Sequence, residues 1–234
     1  MHILIDAEGN RYLHIRGDFH SKQGVIQEKN IRPGILTTHL NKEYICFPAT
    51  FADLLQNISR GPATMHGKDI GIILSKAGIG RNTKIVDAGT GSGVLAACLA
   101  HISEDVTTYE SRKEHAVIAK KNFILLGVQP TLKEQDITKG IDEEQVDVIT
   151  LDLLEPWKVV QHAAEALKAG GFLIAYCTNI SQVTDFIKTA EEKNFLLEDV
   201  IEIIQRSWKI EEKIVRPEHI GLLHTGFLVF LRKV

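Results

Sequence analysis

Lys84-Ile85-Val86-Asp87-Ala88-Gly89-Thr90-Gly91-Ser92-Gly93 runs from a short apolar segment into three glycines at alternate positions, and a helix through His101 follows. A strand that ends in a carboxylate and turns through GxGxG into a helix presents bare backbone amides where the polar end of a ligand can approach closely. The spacing is not the GxGxxG of pyrophosphate-binding dehydrogenases, and no lysine follows as a P-loop requires. Glu110, 23 positions after Asp87 and at the end of the next strand, stands where an acidic residue accepts the hydrogens of two ribose hydroxyls. Asp136 closes the third strand at the same edge. The alternative for these residues is a tight turn with two solvated strand ends.

Outward from this loop, helical and strand periods alternate. Ile70, Ile73, Leu74 and Ala77 line one helix face before the loop. After it the sequence predicts a strand at Val106 to Glu110, a helix from Arg112 to Leu126, and a strand around Leu132 to Gln135. Val146 to Leu151 is nearly continuous apolar, as a strand covered on both faces should be. A helix from Pro156 to Leu167 stopping at Gly170-Gly171, a strand Phe172 to Tyr176 and a helix from Ser181 to Lys193 complete the series. The βαβα order implies an α/β fold with a parallel sheet between two helical layers. Leu196 to Gln205 and Leu222 to Leu231 read as a terminal antiparallel hairpin joined by the charged stretch 209–218.

The first 50 residues differ in texture. His2 to Ile5 and Arg11 to Ile15 alternate around the turn Ala7-Glu8-Gly9-Asn10, and further turn signals at Gly17-Asp18, Gly24, Arg32-Pro33-Gly34 and Asn41-Lys42 separate short β-like runs. A small antiparallel β domain is expected over 1–62, with a linker at Arg60-Gly61-Pro62 after the helical spacing of Phe51, Leu54, Leu55 and Ile58, and a second domain over 63–234. The 234 residues are 44% hydrophobic and 24% charged, the profile of a folded soluble protein. No apolar run approaches the roughly 18 residues of a membrane span, and Met1-His2-Ile3-Leu4-Ile5-Asp6 lacks the basic n-region of a secretory signal, so a cytoplasmic location is expected. Cys46, Cys98 and Cys177 lie far apart with no CxxC pair; buried thiols are expected, with no disulfide framework and no metal site.

Leu151-Asp152-Leu153-Leu154-Glu155-Pro156-Trp157 follows the fourth strand and delivers Asp152 to the carboxyl edge of the sheet, where open α/β sheets bind ligands. A carboxylate ending an apolar strand needs a hydrogen-bonded partner, either a loop amide that it caps or a substrate amine. Trp157 either packs in the core or stacks on a ligand.

The glycine loop with Glu110 resembles the class I S-adenosylmethionine-dependent methyltransferases, whose seven-stranded sheet also ends in a reversed hairpin. The resemblance implies S-adenosylmethionine as cofactor, held by Asp87, Gly89, Thr90, Gly91, Ser92 and Gly93, with Glu110 on the ribose, Asp136 facing the adenine amine and Asp152 beside it. Asp-Leu-x-x-Pro-Trp in this place is similar to the tRNA adenine-N1 methyltransferases that act on the T-loop at position 58. A small N-terminal β domain, the Thr50 to Arg60 segment, Lys68-Asp69, Asn179 with Gln182-Val183, Arg216-Pro217 and His224-Thr225-Gly226-Phe227 also resemble that family. Many members carry Tyr-Pro where this chain has His66-Gly67, and a histidine there resembles archaeal members, some of which also modify adenine 57. The resemblance implies that Asp152 is catalytic, that His66 holds a flipped base, and that the assembly is a homotetramer acting on tRNA. From the residues alone, His66 is as readily a helix-start residue making a local hydrogen bond.

Charge gives no basic footprint. Lys+Arg number 27 against 30 Asp+Glu, a formal charge of −3, and residues 1–65 carry seven Lys/Arg against six Asp/Glu. Phosphate contacts would have to come from placement, or from surfaces joined between subunits. Three other readings stay open: a class I methyltransferase for a small molecule or protein, since corrin and isoaspartyl methyltransferases use a similar loop; a non-catalytic tRNA-binding subunit of a heteromeric enzyme, although such subunits typically lose the glycine loop; and a nucleotide-binding oxidoreductase, whose glycine spacing differs.

Overall fold

The computed structural model describes residues 1–59, 61, 64–211, 214–218 and 224–234. Contacts divide the chain into two compact units, Met1–Ser59 and Arg60–Val234. The expected linker residues Arg60 and Pro62 and the expected start of the last strand at Leu222 lie outside the described residues.

In the first unit, β1 (His2–Ile5), β2 (Arg11–His14), β3 (Phe19–Ser21), β4 (Gly24–Ile26), β5 (Gly34–Thr37) and β6 (Glu43–Pro48) are all short. They form an antiparallel sheet in the order β2-β1-β6-β5 and a β3-β4 hairpin. Leu4, Phe19, Ile26, Leu36, Tyr44 and Cys46 are its core, with the rings of Tyr12, Phe19 and Tyr44 edge-on at 5.3 to 6.1 Å. The helical spacing seen from Phe51 yields only α1 (Phe51–Leu55), capped reciprocally by Thr50 and Asp53.

The second unit begins with α2 (Gly67–Lys76) and then alternates: β7 (Lys84–Ala88), α3 (Val94–Ala100), β8 (Asp105–Tyr109), α4 (Lys113–Leu126), β9 (Thr131–Lys133), β10 (Val146–Leu151), α5 (Val160–Ala166), β11 (Leu167–Cys177), α6 (Ile180–Glu191), β12 (Phe195–Glu202), β13 (Trp208–Glu211), β14 (Ile214–Pro217) and β15 (Phe227–Lys233). Seven strands form one sheet in the order β12-β15-β11-β10-β7-β8-β9, and β15 alone runs against its neighbours. Alternate residues of each central strand feed opposite faces. Val86, Ile149, Leu173 and Ala175 pack with α5 and α6, while Ile85, Val148 and Ile174 pack with α2 and α3. The chain adds β8 and β9 on one side of β7, then returns to add β10 on the other. The switch point between β7 and β10 is therefore where a ligand crevice forms.

Two expectations need correction. The helix expected to stop at Gly170-Gly171 is a 3-10 turn (Pro156–Val159) followed by α5, and β11 already begins at Leu167. The glycines sit inside that strand, at a register shift between Val146↔Leu167 and Val148↔Phe172, where Gly170 has φ +76°. This is the backbone a bulge asks for. The charged stretch 209–218 is not a plain connector, because β13 and β14 pair in it antiparallel with Ile210 opposite Val215. Arg216 lies on β14, its guanidinium donating to the Pro217 carbonyl.

Candidate active site

The apolar strand β7 carries Asp87 to its buried end, where the carboxylate accepts the hydroxyls of Thr108 at 2.6 Å and Thr150 at 2.7 Å. Burial pushes it up to about 6 against those two bonds, and the charge of Glu110 adds to the rise. The Thr90 and Thr108 hydroxyls lie 2.6 Å apart, and Thr90 also donates to the Tyr109 carbonyl. Asp87 thus pins strands β8 and β10 and, through threonines, the glycine loop.

Gly89, Gly91 and Gly93 have φ of +88°, +56° and +84°. At Gly89 a Cβ would stand 2.1 Å from the Asp152 carbonyl oxygen, so no other residue fits. The Asp152 amide donates to the Ala88 carbonyl at 2.8 Å, continuing the contact between the two strand ends. Gly93 caps α3, and the buried Ser92 gives its carbonyl to the Asn122 side chain. Glu110, 6% exposed, accepts the amides of Gly91 at 2.8 Å and Arg112 at 2.9 Å. It closes the cradle from the β8 side with acceptor capacity remaining on both oxygens.

Asp152 differs from the other carboxylates. Among the described residues no hydrogen bond reaches its side chain, although burial, with the Asp87 charge second, pushes it up to about 7. A desolvated carboxylate with open acceptors beside the switch point is a receptor for a donor group. The loop carrying it is anchored from behind: Gln182 Nε2 donates to the Leu154 carbonyl at 2.8 Å, while Asn179 and Gln182 form a reciprocal cap on α6. Trp157 packs against the core.

Asp136 lies three residues beyond β9 and caps a 3-10 turn by accepting the Thr138 hydroxyl and amide; the hydroxyl bond foremost holds its carboxyl below the usual range. With Ser111, Gln135 and Lys139 it lines an open groove of about 540 Å³. His66 is the exposed N-cap residue of α2, and its side chain makes no capping bond. Hydrogen bonds and charge thus join Asp87, Thr90, Gly91, Glu110 and Asp152, while Asp136 and His66 stand apart from that network.

Sequence reasoning did not single out Tyr176. It is the penultimate residue of β11, 8% exposed, donates to the Thr225 carbonyl at 2.6 Å, and is pushed up by burial and by the charges of Asp69 and Asp152. Its only sequence signal was its place at the carboxyl end of a strand next to β10. The three cysteines are free, Cys46 and Cys177 buried and Cys98 half-buried.

A seven-stranded sheet with one reversed strand and a glycine cradle at its switch point defines a class I methyltransferase fold. A solved structure from Thermotoga maritima, described as a SAM-dependent O-methyltransferase, superposes with a TM-score of 0.89 at 28% identity, covering 100% of this chain and 92% of that one. TrmI from Aquifex aeolicus, described as a tRNA (m1A58) methyltransferase, shares the fold with a TM-score of 0.82 at 22% identity, over 100% and 96%. Residues 56–226 match the family model described as the tRNA methyltransferase complex GCD14 subunit, and the chain belongs to that family. Its relatives include the tRNA (adenine(57)-N(1)/adenine(58)-N(1))-methyltransferase TrmI of Methanocaldococcus jannaschii, 32% identical over 98% of this chain and 94% of the relative. The tRNA (adenine(58)-N(1))-methyltransferase TrmI of Thermus thermophilus is 31% identical over 99% and 96%.

Proposed function

We propose that the protein transfers a methyl group from S-adenosylmethionine to N1 of adenine 58 in the tRNA T-loop, with capacity at adenine 57. The observation that carries this reading is the mostly buried Asp152 carboxylate, without a hydrogen bond among the described residues, beside the Gly89 to Gly93 cradle. The residues present fit the cofactor, since the cradle admits backbone but no side chain at Gly89 and Glu110 retains acceptors for ribose hydroxyls. When bound, S-adenosylmethionine supplies an electrophilic methyl group on a sulfonium.

Adenine N1 attacks with a lone pair it already has, so no base need remove a proton first. Methylation would leave a positive charge on the base. Asp152 accepts a hydrogen bond from the exocyclic amine, fixes the base in line, and stabilises the cation as it forms. Asp87 acts behind the loop, holding the ends of β7, β8 and β10 in place. Asp136, in the groove beside Ser111, would accept a hydrogen bond from the adenine amine of the cofactor. His66 holds the flipped target base. Its imidazole is smaller than the tyrosine ring of many relatives, which supports acceptance of two neighbouring adenines.

The reading extends to a small β domain over 1–62 that helps grip tRNA, a catalytic domain over 63–234, and a cytoplasmic homotetramer whose joined surfaces supply phosphate contacts that a chain of charge −3 lacks alone. Among the described residues no helix is long and apolar enough to cross a membrane. The test is a pair of variants. Glu110→Ala should weaken S-adenosylmethionine binding by calorimetry. Asp152→Ala should leave it largely intact while lowering the single-turnover rate about 100-fold, roughly 2.7 kcal/mol of transition-state stabilisation. A wild-type rate for Asp152→Ala would remove Asp152 from the chemistry.

A further inference from the structure

Lys68 and Thr225 lie 157 positions apart, yet they meet in one buried hydrogen-bonded unit. Lys68 Nζ donates to Asp69 Oδ1 at 2.8 Å and to Thr225 Oγ1 at 2.5 Å, and the Thr225 hydroxyl donates to Asp69 Oδ2 at 2.8 Å. The lysine and aspartate side chains are 6% and 1% exposed. Desolvating an ion pair this deeply costs free energy that well-packed apolar groups of the same shape would avoid, so stability alone does not account for it. A closed charged unit does fix geometry, because each of the three side chains is bonded to both of the others.

The geometry it fixes belongs to the candidate active site. The Thr225 carbonyl receives the Tyr176 hydroxyl, and at Gly226 a Cβ would stand 2.6 Å from the Tyr176 ring, so bare backbone lies against the phenol. One residue earlier, His224 is hydrogen-bonded to Glu202 and approaches the Thr178 carbonyl. Segment 224–226 is therefore held at three consecutive residues around the carboxyl end of β11, where the parallel register with β10 reaches Leu151↔Ala175 and Asp152 and Tyr176 come next along the two neighbouring strands. At its other end the unit occupies the first turn of α2, where Lys68 stands two residues after His66.

We propose that Lys68, Asp69 and Thr225 are positioning residues that hold the Tyr176 phenol beside Asp152 and fix the start of α2, so that both form the wall against which the target base is set. The methyl-transfer part of this proposal rests on the function proposed above; the positioning part does not. The chain has four tyrosines, so ring-labelled protein gives four tyrosine signals, and Tyr176→Phe identifies the one that matters.

In Thr225→Val the Tyr176 signal should move or broaden while the other three stay. The single-turnover rate on unmodified tRNA transcript should fall about tenfold, with the tRNA KM and S-adenosylmethionine affinity each within about twofold of wild type. Lys68→Met should do the same, and Thr225→Ser should restore both signal and rate. An unmoved Tyr176 signal, or a moved one with a wild-type rate, would overturn the proposal. So would a rate loss accompanied by shifts of all four signals and a lower melting temperature, which would reduce the unit to general support of the fold. If the wild-type protein methylates no tRNA, the functional reading fails, and the tyrosine signals alone decide the positioning claim.

Discussion

Asp152 costs the fold stability, and the sign of that cost is open to measurement. Burial pushes its carboxyl up to about 7 from an ordinary 3.8, so between those values the folded state holds a proton that the unfolded state has lost. Stability contributed at this residue therefore falls as pH rises through about 4 to 7, by up to on the order of 4 kcal/mol. Asp152→Asn should match wild type in melting temperature at about pH 4 and exceed it at about pH 8. Equal melting temperatures at both would mean that the carboxylate is solvated. Methyl transfer should show the opposite preference, rising with pH through about 7 as the carboxylate ionises and then levelling. Gly89→Ala should abolish cofactor binding by calorimetry, since the added carbon meets the Asp152 carbonyl. At this scale the glycine loop, Glu110 and Asp152 were legible in the sequence because their chemistry is local to strand ends. Tyr176 was not, because what marks it is a carbonyl 49 positions away and the charge of another strand's carboxylate.

Among the elements, α6 does more than cover the sheet. Its cap residue Gln182 accepts the amides of Thr178 and Asn179 and donates to Leu154, so one side chain starts the helix and holds the loop after β10. Gln182→Ala should lower stability by about 1 to 2 kcal/mol in denaturant unfolding and also slow methyl transfer, whereas Thr184→Ala on the exposed side of the same helix should do neither. Loss of stability with an unchanged rate would confine Gln182 to capping. The period of apolar residues located most strands and helices, since burial on one or two faces imposes it. It failed at Gly170, where glycines that usually end a helix serve a bulge inside β11, and in the stretch 209–218, where charge concealed the alternation of Trp208, Ile210, Ile214 and Val215. Asp136 was placed at a strand end and instead caps the turn beyond it.

For the whole molecule, a formal charge of −3 must be reconciled with the polyanionic substrate proposed for it. Affinity for tRNA should fall as salt rises between about 50 and 200 mM, with a measurable negative slope of log affinity on log salt; a flat line would mean that no phosphate is contacted. The α/β order and the small β unit were readable from the sequence because they follow from periodicity and turn chemistry, whereas any grouping of charges on a common surface depends on chain placement that periodicity does not encode. The most direct test of the account is to incubate the protein with labelled S-adenosylmethionine and unmodified tRNAs carrying A57-A58 or G57-A58, then map the product by mass spectrometry. N1-methyladenosine is expected at position 58 in both, with some at 57 in the first and a shift toward one site in His66→Tyr. Label on another nucleoside, on a hydroxyl, or on no RNA at all would contradict it.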